Sequence, residues 1–344
     1  MDIQENVPFS ELTTFRTGGT VRFLLTIAPE EIALAVAFAK EKGLPLIPVG
    51  SGSNMLAPDR GLEAVFIRVG HAGITVSEDG EFAVYTADAG ASWDDLVAKA
   101  VSDGAWGIEN LSGIPGTVGA AVVQNIGAYG AALSDTLHQV TAFDTREGKV
   151  IVFAAGECAF GYRTSIFKQE RDRYFITHVS FLLSKVPKCN FSYRDLKNRF
   201  EGMTPTLQEI RDAVLFIRTG KFPPLSEFGT AGSFFLNPIV TEADVDALRE
   251  RFPEMPVFVL PEGGVKVPLA WLFDHVLSLK GLRVGKAFVW DKQPLVIATD
   301  FGATSADVHA LAEKIAQILY EKTGITIIPE VRVFDADKKN ISSS

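Results

Sequence analysis

The sequence predicts a protein of mixed helix and strand, of the α+β or α/β type. Strand-like and helix-like patterns interleave in both halves of the chain. Apolar residues make up 47% of the 344 residues, with 25 Phe among them, so burial of apolar surface can offset the entropy of folding. The Pro- and Gly-rich stretch KFPPLSEFGT (221–230) separates the halves, in keeping with a length that suggests about two domains.

Charge and cysteine content exclude several classes of protein. The chain carries 33 Lys and Arg against 42 Asp and Glu, a net charge of −9, which argues against binding to nucleic-acid polymers. Two cysteines, Cys158 and Cys189, are too few for a disulfide framework and do not form a Cys-x-x-Cys pair. The five histidines lack the spacing of metal ligands, so we expect no metal site.

The N-terminal sequence and the hydropathy pattern predict where the protein is found. Residues 1–15, MDIQENVPFSELTTF, lack the basic and apolar regions of a signal peptide. No run of 18 apolar residues occurs that would cross a membrane. We therefore expect a cytoplasmic protein that does not associate with membranes. We expect a monomer, and an oligomer stays open as the alternative.

The first half of the chain contains both helix and strand signals. Residues 29–42 predict a helix that ends at Gly43 in a left-handed C-cap. Ser92, with Asp95 three residues later, marks the start of a helix near 93–103. Apolar runs typical of strands occur at 44–49, 63–69, 82–88 and 174–184 and in the hairpin-like pair QVTAFDT and KVIVFAA.

The second half follows a polar connector at 187–203. A helix then begins at a capping box formed by Thr206 and Glu209 and is expected to stop at Gly220. Beyond 230, helices are predicted near 242–251, 268–280 and 304–322, and strands in PVFVL, KAFVW and PLVIAT. A strand pair in ITIIPEVRVF completes the pattern, and the tail DADKKNISSS is expected to be frayed.

The segment GSGSN (50–54) lies between two strands and can bring main-chain amides together around an anion. It lacks the third glycine of the dinucleotide fingerprint G-x-G-x-x-G, because Met55 stands at that position. Pro58 also prevents the helix that a Rossmann unit requires next. A pyrophosphate cradle and an ordinary glycine turn both stay open as interpretations.

A second glycine-rich segment, ENLSGIPGTVGAAVVQNIGAYG, covers residues 109–130. Gly113, Gly116 and Gly119 are spaced three apart, and with Pro115 they form a backbone with little side-chain bulk. Such a backbone allows a large flat ligand to approach main-chain amides closely. Tight packing of a helix on a sheet is the alternative explanation for the same glycines.

These two segments together resemble the flavin domain of the MurB family of UDP-N-acetylenolpyruvoylglucosamine reductases. The resemblance extends over nearly the whole chain through GYRTSIFK (161–168), GTAGSFFLNP (229–238) and IPEVRVF (328–334). It implies a noncovalent FAD, NADPH as hydride source, and reduction of an enolpyruvyl ether on a UDP-sugar to UDP-N-acetylmuramate. The connector 187–203 and the chain length resemble the longer subclass of the family.

The resemblance also implies the fold class, α+β, and a domain division. A PCMH/VAO-type FAD-binding region of two α+β subdomains, about 1–70 and 71–205, would be followed by a helix over 206–219, so that this region spans 1–220. A C-terminal α/β domain at 222–322 would bind the UDP-sugar substrate. Residues 323–344 would contain a strand pair that returns to the active site, and the frayed tail.

Three residues are assigned to catalysis by the resemblance. The reaction adds a hydride to one carbon of a double bond and a proton to its neighbour, so it requires a cation for the carboxylate, a proton donor and a group that stabilises the enol. The matching residues are Arg163, whose planar fork suits a carboxylate, Ser233 as proton donor, and Glu330. The alternatives are a surface salt bridge, a turn-capping serine and an exposed Glu–Arg pair.

Glu330 is predicted to lie in a strand, on the same face as Ile328 and Arg332. If its carboxyl group is turned into the site, burial would raise its pKa and favour the protonated form, which suits a group that supports an enol.

The remaining implied contacts concern the cofactor and the nucleotide. The predicted FAD-binding residues are Gly50, Ser51, Gly52, Ser53, Asn54, Ile114, Pro115, Gly116, Gly119, Gln124, Asn125 and Gly127. The predicted substrate-binding residues are Tyr193, Lys221 and Asn237, although a loop tyrosine without a role is the alternative for Tyr193. Leu236 and Trp290 depart from the family pattern, in which Lys and often His stand at these positions.

Two other functions remain as alternatives. One is a different FAD-dependent oxidase or dehydrogenase on the same flavin scaffold, which would not require Ser233 and Glu330 in these contexts. The other is a noncatalytic flavin- or nucleotide-binding module, which predicts loss of Arg163, Ser233 or Glu330, and all three are present. The acidic net charge does not argue against small anionic ligands, because local amides and cations can bind them in a cleft.

Overall fold

A computed structural model describes residues 1–260 and 263–335. The chain divides into two compact units, which are described separately below. The first unit comprises Met1–Asn6, Val21–Ser51 and Glu63–Arg218, and the second comprises Val7–Thr20, Gly52–Leu62 and the chain from Thr219 onward. The last boundary between the units falls after Arg218, and residues 7–20 and 52–62 belong to the second unit. The predicted functional domains stay a prediction.

The described residues contain ten α-helices. In chain order they are α1 (Phe9–Leu12), α2 (Ile32–Lys42), α3 (Trp93–Ser102), α4 (Val118–Gln124), α5 (Ile166–Gln169), α6 (Arg194–Phe200), α7 (Leu207–Lys221), α8 (Glu242–Arg251), α9 (Leu269–Trp271) and α10 (Ser305–Thr323). Four short 3₁₀ turns lie at Pro29–Glu31, Glu109–Leu111, Leu133–Asp135 and Ala155–Glu157, and a π-helical turn lies at Leu272–Val276. None of these helices is long and apolar enough to cross a membrane.

The strands of the same residues are mostly short. Those before residue 100 are β1 (Asp2–Pro8), β2 (Thr20–Ile27), β3 (Leu46–Pro48), β4 (Met55–Leu56), β5 (Leu62–Val69), β6 (Ile74–Asp79) and β7 (Phe82–Asp88). The next are β8 (Gly127–Ala128), β9 (Ala131–Ala132), β10 (Leu137–Asp144), β11 (Lys149–Ala154) and β12 (Tyr174–Ser184). The last are β13 (Gly229–Ser233), β14 (Ile239–Val240), β15 (Phe258–Val259), β16 (Val265–Lys266), β17 (Arg283–Val284), β18 (Ala287–Val289), β19 (Val296–Thr299) and β20 (Arg332–Val333).

Two sheets form the first unit. The first sheet has the order β1-β2-β5-β3, and its β3 and β5 run parallel. The second has the order β11-β10-β12-β7-β6, and its neighbouring strands are antiparallel. The small hairpin β8–β9 follows α4. The period-2 burial of β7, where Ala83, Tyr85 and Ala87 point inward, identifies the face of the second sheet that meets the core.

Helices cover one face of each sheet in this unit. Ile32, Ala35 and Ala39 of α2 pack on alternate residues of β2 and β5, because the i, i+3, i+7 spacing of α2 presents one apolar stripe. α3, α4 and α7 contribute to the core of the second sheet. In that core the Trp93 ring is fully buried, meets the Phe181 ring edge-on at 5.6 Å, and donates from Nε1 to the Leu111 carbonyl at 2.9 Å.

The second unit is built around an antiparallel sheet with the order β13-β19-β18-β17, on which α10 packs. A small sheet of order β14-β16-β15 and the parallel pair β20-β4 complete it. Phe15 and Leu56 are each 1% exposed within this core. Burial of these two side chains explains why the segments around them belong to this unit and not to the N-terminal one.

Local signals placed several helix ends correctly. Gly43 ends α2 with a φ of 66°, and Ser92 accepts a hydrogen bond from the Asp95 amide at the start of α3. The Thr206–Glu209 capping box precedes α7, since the Glu209 amide donates to Thr206 Oγ1 at 3.2 Å and the Thr206 amide to Glu209 Oε2 at 2.8 Å.

Two sequence-based expectations about helices were wrong. The helix predicted near 268–280 is the short α9 followed by the π-helical turn, in which the Leu277 amide bonds to the Leu272 carbonyl five residues back. α7 does not stop at Gly220 but continues to Lys221, just before the Phe222-Pro223-Pro224 sequence that cannot continue a helix. The polar connector 187–203 contains α6.

The strand pair predicted in ITIIPEVRVF is also absent from the described residues. Only β20 forms there, and it pairs in parallel with β4 instead of with a second C-terminal strand. Pro329 adds an isolated bridge to Phe235, so the segment bonds to two distant parts of its own unit. Residues 336–344 of the predicted frayed tail lie outside the described residues.

Candidate active site

Arg163 lies in a tight turn of the first unit. Gly161 and Thr164 exchange main-chain hydrogen bonds of 3.2 and 3.3 Å, which closes the turn around Tyr162 and Arg163. The φ of Arg163 is +54°, a left-handed conformation that few residues other than Gly, Asn and Asp adopt. Non-glycine residues in this conformation are held there by their surroundings and cluster at functional sites.

The guanidinium of Arg163 points back to the glycine-rich segment. Its Nη2 donates to the Gly127 carbonyl at 2.6 Å, and its Nη1 donates to the Asn125 carbonyl at 3.4 Å. A Cβ added to Gly127 would lie 3.1 Å from Nη1, so glycine allows this close approach. Three predicted site residues, Arg163, Gly127 and Asn125, therefore meet within one unit.

Two side chains that the sequence analysis did not select hold the Arg163 turn. Lys168 Nζ donates to the Arg163 carbonyl at 2.9 Å and to Gln124 Oε1 at 3.0 Å. Ser165 Oγ donates to the Val123 carbonyl at 2.8 Å and also caps α5. Both residues belong to GYRTSIFK, so that motif contains the supports of its arginine as well as the arginine itself.

The two predicted flavin segments meet at Gly50. A Cβ added to Gly50 would lie 2.6 Å from Thr117 Oγ1 and 3.0 Å from the Ala120 Cβ, so only glycine fits here without displacement. Gly116, with φ +141°, precedes Thr117. Within the part of the chain that the structure describes, the amides of Ser51, Gly116 and Thr117 have no acceptor. Amides without an acceptor, next to a residue that has no Cβ, form a surface that can bind an anion.

Other members of the glycine-rich segment have structural partners. The Gly119 amide donates to the Ala89 carbonyl at 3.0 Å, and a Cβ at Gly119 would lie 2.8 Å from the Ala89 Cβ. Close packing of α4 against the residue that follows β7 therefore explains this glycine. Asn125, which ends α4 with φ +42°, accepts from the Ser134 amide and donates to the Gly161 carbonyl. The FAD-binding roles of Gly119 and Asn125 stay predictions.

Gly113 is held on both sides by charged residues. Its amide donates to Asp94 Oδ1 at 2.6 Å, and its carbonyl accepts from Arg218 Nε at 2.9 Å. Asp94 is in turn bound by the two guanidinium nitrogens of Arg211 at 2.7 and 2.8 Å. Partial burial by itself raises the pKa of Asp94, but the bonds from Arg211 and Gly113 outweigh it and hold the pKa below its usual range.

Asp94 and the two arginines were not selected from the sequence. They are far apart in the chain, and each alone looks like an ordinary surface charge. The available sequence signal was the acidic first turn of α3, which contains Asp94. We interpreted that turn only as part of a helix cap.

Tyr193 lies at the start of α6 and is 38% exposed. Its ring meets the ring of Tyr129 edge-on, with centroids 5.2 Å apart and planes at 84°. Tyr129 belongs to the turn between β8 and β9 and is 7% exposed. The connector that carries Tyr193 is thus packed on the hairpin that follows the glycine-rich segment.

Ser233 ends β13 in the second unit at a disturbed register. Thr230 is paired with Ala298 and Ser233 with Val296, so the two strands slip between these pairs. Gly232 adopts φ +75° and its amide donates to Thr230 Oγ1 at 3.1 Å. A bulge of this kind changes the direction of the side chain that follows, and Ser233 is the residue that follows here.

Glu330 lies beside the Ser233 strand in the same unit. Its amide donates to the Phe234 carbonyl at 2.7 Å, and Pro329 forms an antiparallel bridge with Phe235. The prediction that Glu330 lies in a regular strand was wrong: it occupies a bend between that bridge and β20. The bend lets one segment bond to Phe234 on one side and to β4 on the other.

Asn54 connects the GSGSN segment to Glu330. Its Nδ2 donates to the Glu330 carbonyl at 3.3 Å, and its carbonyl accepts from the Arg332 amide at 3.0 Å. Gly52 and Ser53 precede it in the same unit, and the Gly52 carbonyl accepts from the Thr14 amide. The structure thus bonds Asn54 to Glu330, and Glu330 to the residue after Ser233, which sequence spacing does not predict.

The other predicted substrate residues take two positions in the second unit. Lys221 is the last residue of α7 and is half-buried. Asn237 accepts a hydrogen bond from the Leu269 amide at 2.9 Å through its Oδ1, which ties it to the start of α9.

Two further residues predicted to bind FAD, Ile114 and Pro115, lie in the first unit. They belong to the loop before α4, and Pro115 is exposed.

No group of three or more His, Cys, Asp or Glu side chains within 1–260 and 263–335 could hold a metal ion.

Comparison with known proteins decides the family. Residues 26–154 match the model of an FAD-binding domain, and residues 223–334 match the model of the C-terminal domain of UDP-N-acetylenolpyruvoylglucosamine reductase. The reductase of that name from Pseudomonas aeruginosa is 37% identical over 97% of this chain and 99% of its own. The one from Ralstonia nicotianae is 38% identical over 95% and 98%. The chain belongs to the MurB family.

The fold of the MurB family is also recognised in three dimensions. The crystal structure of MurB from Thermus caldophilus superposes with a TM-score of 0.67, covering 97% of this chain and all of that one, at 24% identity. The α+β fold class predicted from the sequence is confirmed by this similarity and by the FAD-binding match. The resemblance to the MurB family stated from the motifs is confirmed as well.

The matched ranges divide the predicted MurB site residues into three groups. Gly50–Asn54 and the residues from Ile114 to Gly127 fall in the FAD-binding match. Ser233, Asn237 and Glu330 fall in the C-terminal match. Arg163, Tyr193 and Lys221 lie between the two matched ranges, so their assignment rests on the local motifs and on the contacts described above.

Leu236 and Trp290 are the two residues that were expected to differ from the MurB pattern. Leu236 uses its main chain to pair with Ile328, so the side chain there does not affect that hydrogen bond. Trp290 packs against Phe228 and Phe288, and its buried Nε1 has no acceptor within the described chain. An unsatisfied donor in this aromatic cluster has no explanation in the contacts of the second unit.

Proposed function

We propose that this chain reduces the enolpyruvyl double bond of UDP-N-acetyl-3-O-(1-carboxyvinyl)-glucosamine and produces UDP-N-acetylmuramate, with NADPH as the hydride source. The observation that carries the proposal is the match, over 97% of this chain, to a reductase named for that substrate at 37% identity. The chain is an FAD-dependent oxidoreductase in this proposal, and the cofactor is bound noncovalently.

FAD, when bound, supplies hydride transfer between NADPH and the enolpyruvyl carbon. The residues proposed to hold it are Gly50–Asn54 and the stretch from Ile114 to Gly127. The support for them is the glycine-lined junction of Gly50 with Thr117, where the amides of Ser51, Gly116 and Thr117 have no acceptor among the described residues. Amides that have no acceptor favour an anionic partner such as a pyrophosphate.

Arg163 is proposed to bind the substrate carboxylate. A guanidinium binds a carboxylate with two parallel hydrogen bonds, and a lysine cannot reproduce that geometry. Two observations support a fixed position for the main chain that carries this side chain: the left-handed φ of Arg163 and the hydrogen bond from Lys168 to the Arg163 carbonyl. A pre-positioned cation stabilises negative charge as it develops on the carboxylate and the enol.

Ser233 is proposed to donate the proton to the carbon adjacent to the one that receives the hydride. A hydroxyl group is a weak acid, so it must transfer the proton as carbanion or enolate character develops on that carbon. The bulge before Ser233 supports the assignment, because such irregularities direct a side chain away from its regular orientation.

Glu330 is proposed to stabilise the enol. It is half-buried, and its main chain is held by Phe234 on one side and Asn54 on the other. Two main-chain bonds limit the movement of the carboxyl group, and such restriction is what electrostatic stabilisation requires. Tyr193, Lys221 and Asn237 are proposed to contact the UDP-sugar, with Lys221 as a cation for the diphosphate.

The proposed biological setting is peptidoglycan precursor synthesis in the cytoplasm, and through it cell wall biogenesis, cell shape and cell division. The protein is proposed to act as a monomer, without nucleic-acid or membrane partners.

The test separates this reductase from another flavin enzyme on the same scaffold. The purified protein would be reduced anaerobically with NADPH and then mixed with the enolpyruvyl UDP-sugar, while flavin absorbance is followed. Rapid reoxidation with formation of UDP-N-acetylmuramate is expected. Reduced flavin that persists after mixing would rule out the proposed reaction. Release of FAD on denaturation would test noncovalent attachment in the same preparation.

A further inference from the structure

Asn110 is almost fully buried, and its amide nitrogen joins two distant segments of the first unit. The side chain belongs to a residue that is 1% exposed. Its Nδ2 donates to the Tyr129 carbonyl at 2.9 Å and to the Asn190 carbonyl at 2.8 Å. Tyr129 lies in the β8–β9 turn and Asn190 in the connector 187–203, so one amide group ties the connector to the hairpin.

The orientation of this amide follows from its neighbours. Both partners are carbonyl oxygens, which only accept, so the nitrogen of Asn110 must face them. Its Oδ1 is buried and has no donor among the described residues. A buried acceptor without a partner is unfavourable, so the presence of asparagine here is explained by the two bonds that its nitrogen makes.

The side chain of Asn190 adds further hydrogen bonds between the connector and the hairpin. Its Nδ2 donates to the Gly130 carbonyl at 2.8 Å, next to the Tyr129 carbonyl that Asn110 binds. Its Oδ1 accepts from the amide and the hydroxyl of Ser192 at 3.1 and 2.8 Å. A Cβ on Gly130 would collide with Ser192 Oγ, so the connector lies directly on this glycine.

Tyr193 follows Ser192 immediately, and its ring packs edge-on against the ring of Tyr129. Tyr129 has φ +50°, a strained conformation for a tyrosine, and its carbonyl is one of the two that Asn110 holds. The position of Tyr193 is therefore set from two sides, by the Asn190–Ser192 turn in its own segment and by the ring of Tyr129.

We propose that Asn110 and Asn190 are positioning residues that set Tyr193 for binding of the UDP-sugar. The inference rests on the proposed function, because it assigns a task to Tyr193 in that reaction. Neither asparagine contacts the reacting atoms in this proposal: Asn110 holds the main chains of Tyr129 and Asn190, and Asn190 holds the turn that leads into Tyr193.

The central variant is Asn110→Asp in the flavin-loaded enzyme. The substitution keeps the shape of the side chain but places an oxygen against two carbonyl oxygens, which removes both bonds and adds repulsion. We expect KM for the UDP-sugar to rise about tenfold, the factor that corresponds to loss of one well-placed contact, with kcat changed less than KM. Asn190→Ala, at a half-buried position, should act in the same direction and decides the question if Asn110→Asp does not fold.

A double-mutant cycle distinguishes positioning from general destabilisation. In a Tyr193→Ala background, Asn110→Asp and Asn190→Ala should have little further effect on KM, because the side chain that they position is gone. Tyr85→Phe is the matched control: it removes the hydrogen bond from a buried hydroxyl to Asp103 in the same unit without touching the connector. We expect it to lower thermal stability and leave KM unchanged.

Hydrogen exchange of the amides at 190–196 supplies a readout that requires no substrate turnover. Both asparagine variants should accelerate exchange there relative to wild type and Tyr85→Phe. If exchange and KM stay at wild-type values, or if the KM effects add fully to that of Tyr193→Ala, the positioning role is wrong. If the wild-type enzyme does not turn over the UDP-sugar, the proposed function is wrong, and so is the task assigned to Tyr193. If hydrogen exchange is unchanged in the asparagine variants, only the positioning role of Asn110 and Asn190 is wrong.

Discussion

The amide of Glu330 donates a 2.7 Å hydrogen bond to the carbonyl of Phe234, the residue directly after Ser233. This bond fixes the main chain of one proposed catalytic residue to the neighbour of another, although the two lie almost a hundred positions apart in the sequence. Asn54 holds the Glu330 carbonyl from the other direction. Because these bonds use main-chain atoms of Glu330 and Phe234, replacing the side chain of Ser233 or of Glu330 should affect the chemistry more than the folding.

Replacement of Ser233 by Ala should slow the oxidative half-reaction. Loss of a proton donor typically lowers the rate by about 10²- to 10⁴-fold, whereas flavin reduction by NADPH does not use this hydroxyl and should be unchanged. Stopped-flow absorbance of the flavin measures both halves separately. Ser226→Ala, at an exposed position of the linker, is the control. Equal slowing of both halves would contradict the proposed role.

Replacement of Gly50 by Ala should weaken FAD binding. The added Cβ would lie 2.6 Å from Thr117 Oγ1 and 3.0 Å from the Ala120 Cβ, so the junction of the two glycine-rich segments must open. We expect the Kd of FAD, measured by fluorescence during reconstitution of the apoprotein, to rise at least about tenfold. Gly156→Ala, where an added Cβ has no neighbour within 4 Å, should leave the Kd unchanged. An unchanged Kd for Gly50→Ala would exclude this junction from the cofactor site.

Replacement of Gly220 by Ala should stabilise the protein. Gly220 lies inside α7, does not have a positive φ, and has no atom within 4 Å of an added Cβ. Alanine is favoured over glycine in a helix by about 1 kcal/mol, so the melting temperature should rise slightly. A left-handed C-cap at this position would give the opposite sign, because alanine adopts a positive φ less readily than glycine. Calorimetry of the two proteins therefore tests the observed end of α7 directly.

The Asp94–Arg211 pair should make the stability of the folded state depend on pH in the acidic range. The folded-state pKa of Asp94 is lower than its ordinary value, so the pair stabilises the folded state above that ordinary value and loses its contribution as the pH falls through the folded-state pKa. Asp94→Asn should be less stable than wild type between about pH 5 and 7, and the difference should shrink below about pH 4.

Thermal melts over this range measure that difference. Asp246→Asn, on an exposed position of α8, is the control and should show no comparable pH-dependent loss. A stability difference between wild type and Asp94→Asn that is independent of pH would show that the ion pair does not contribute in the expected way.

Most features that the sequence predicted correctly are local. The cap at Ser92, the end of α2 at Gly43 and the capping box at Thr206 each involve residues no more than four positions apart. Their hydrogen bonds close within one helical turn, so the residue types alone are sufficient evidence. The predicted end of α7 was wrong, because a glycine permits a helix to end at that position without requiring it.

The sequence by itself determined the family, the α+β class and the motifs that contain the candidate site, because each motif carries its residue types in a short ordered run. Only the tertiary structure decided that Gly50 lies against Thr117, that Asn54 holds Glu330, and that Asn110 ties Tyr129 to Asn190. The physical reason is that these contacts join residues 19 to 276 positions apart. Such contacts depend on how sheets and helices pack, and neither spacing nor local conformational preference specifies that.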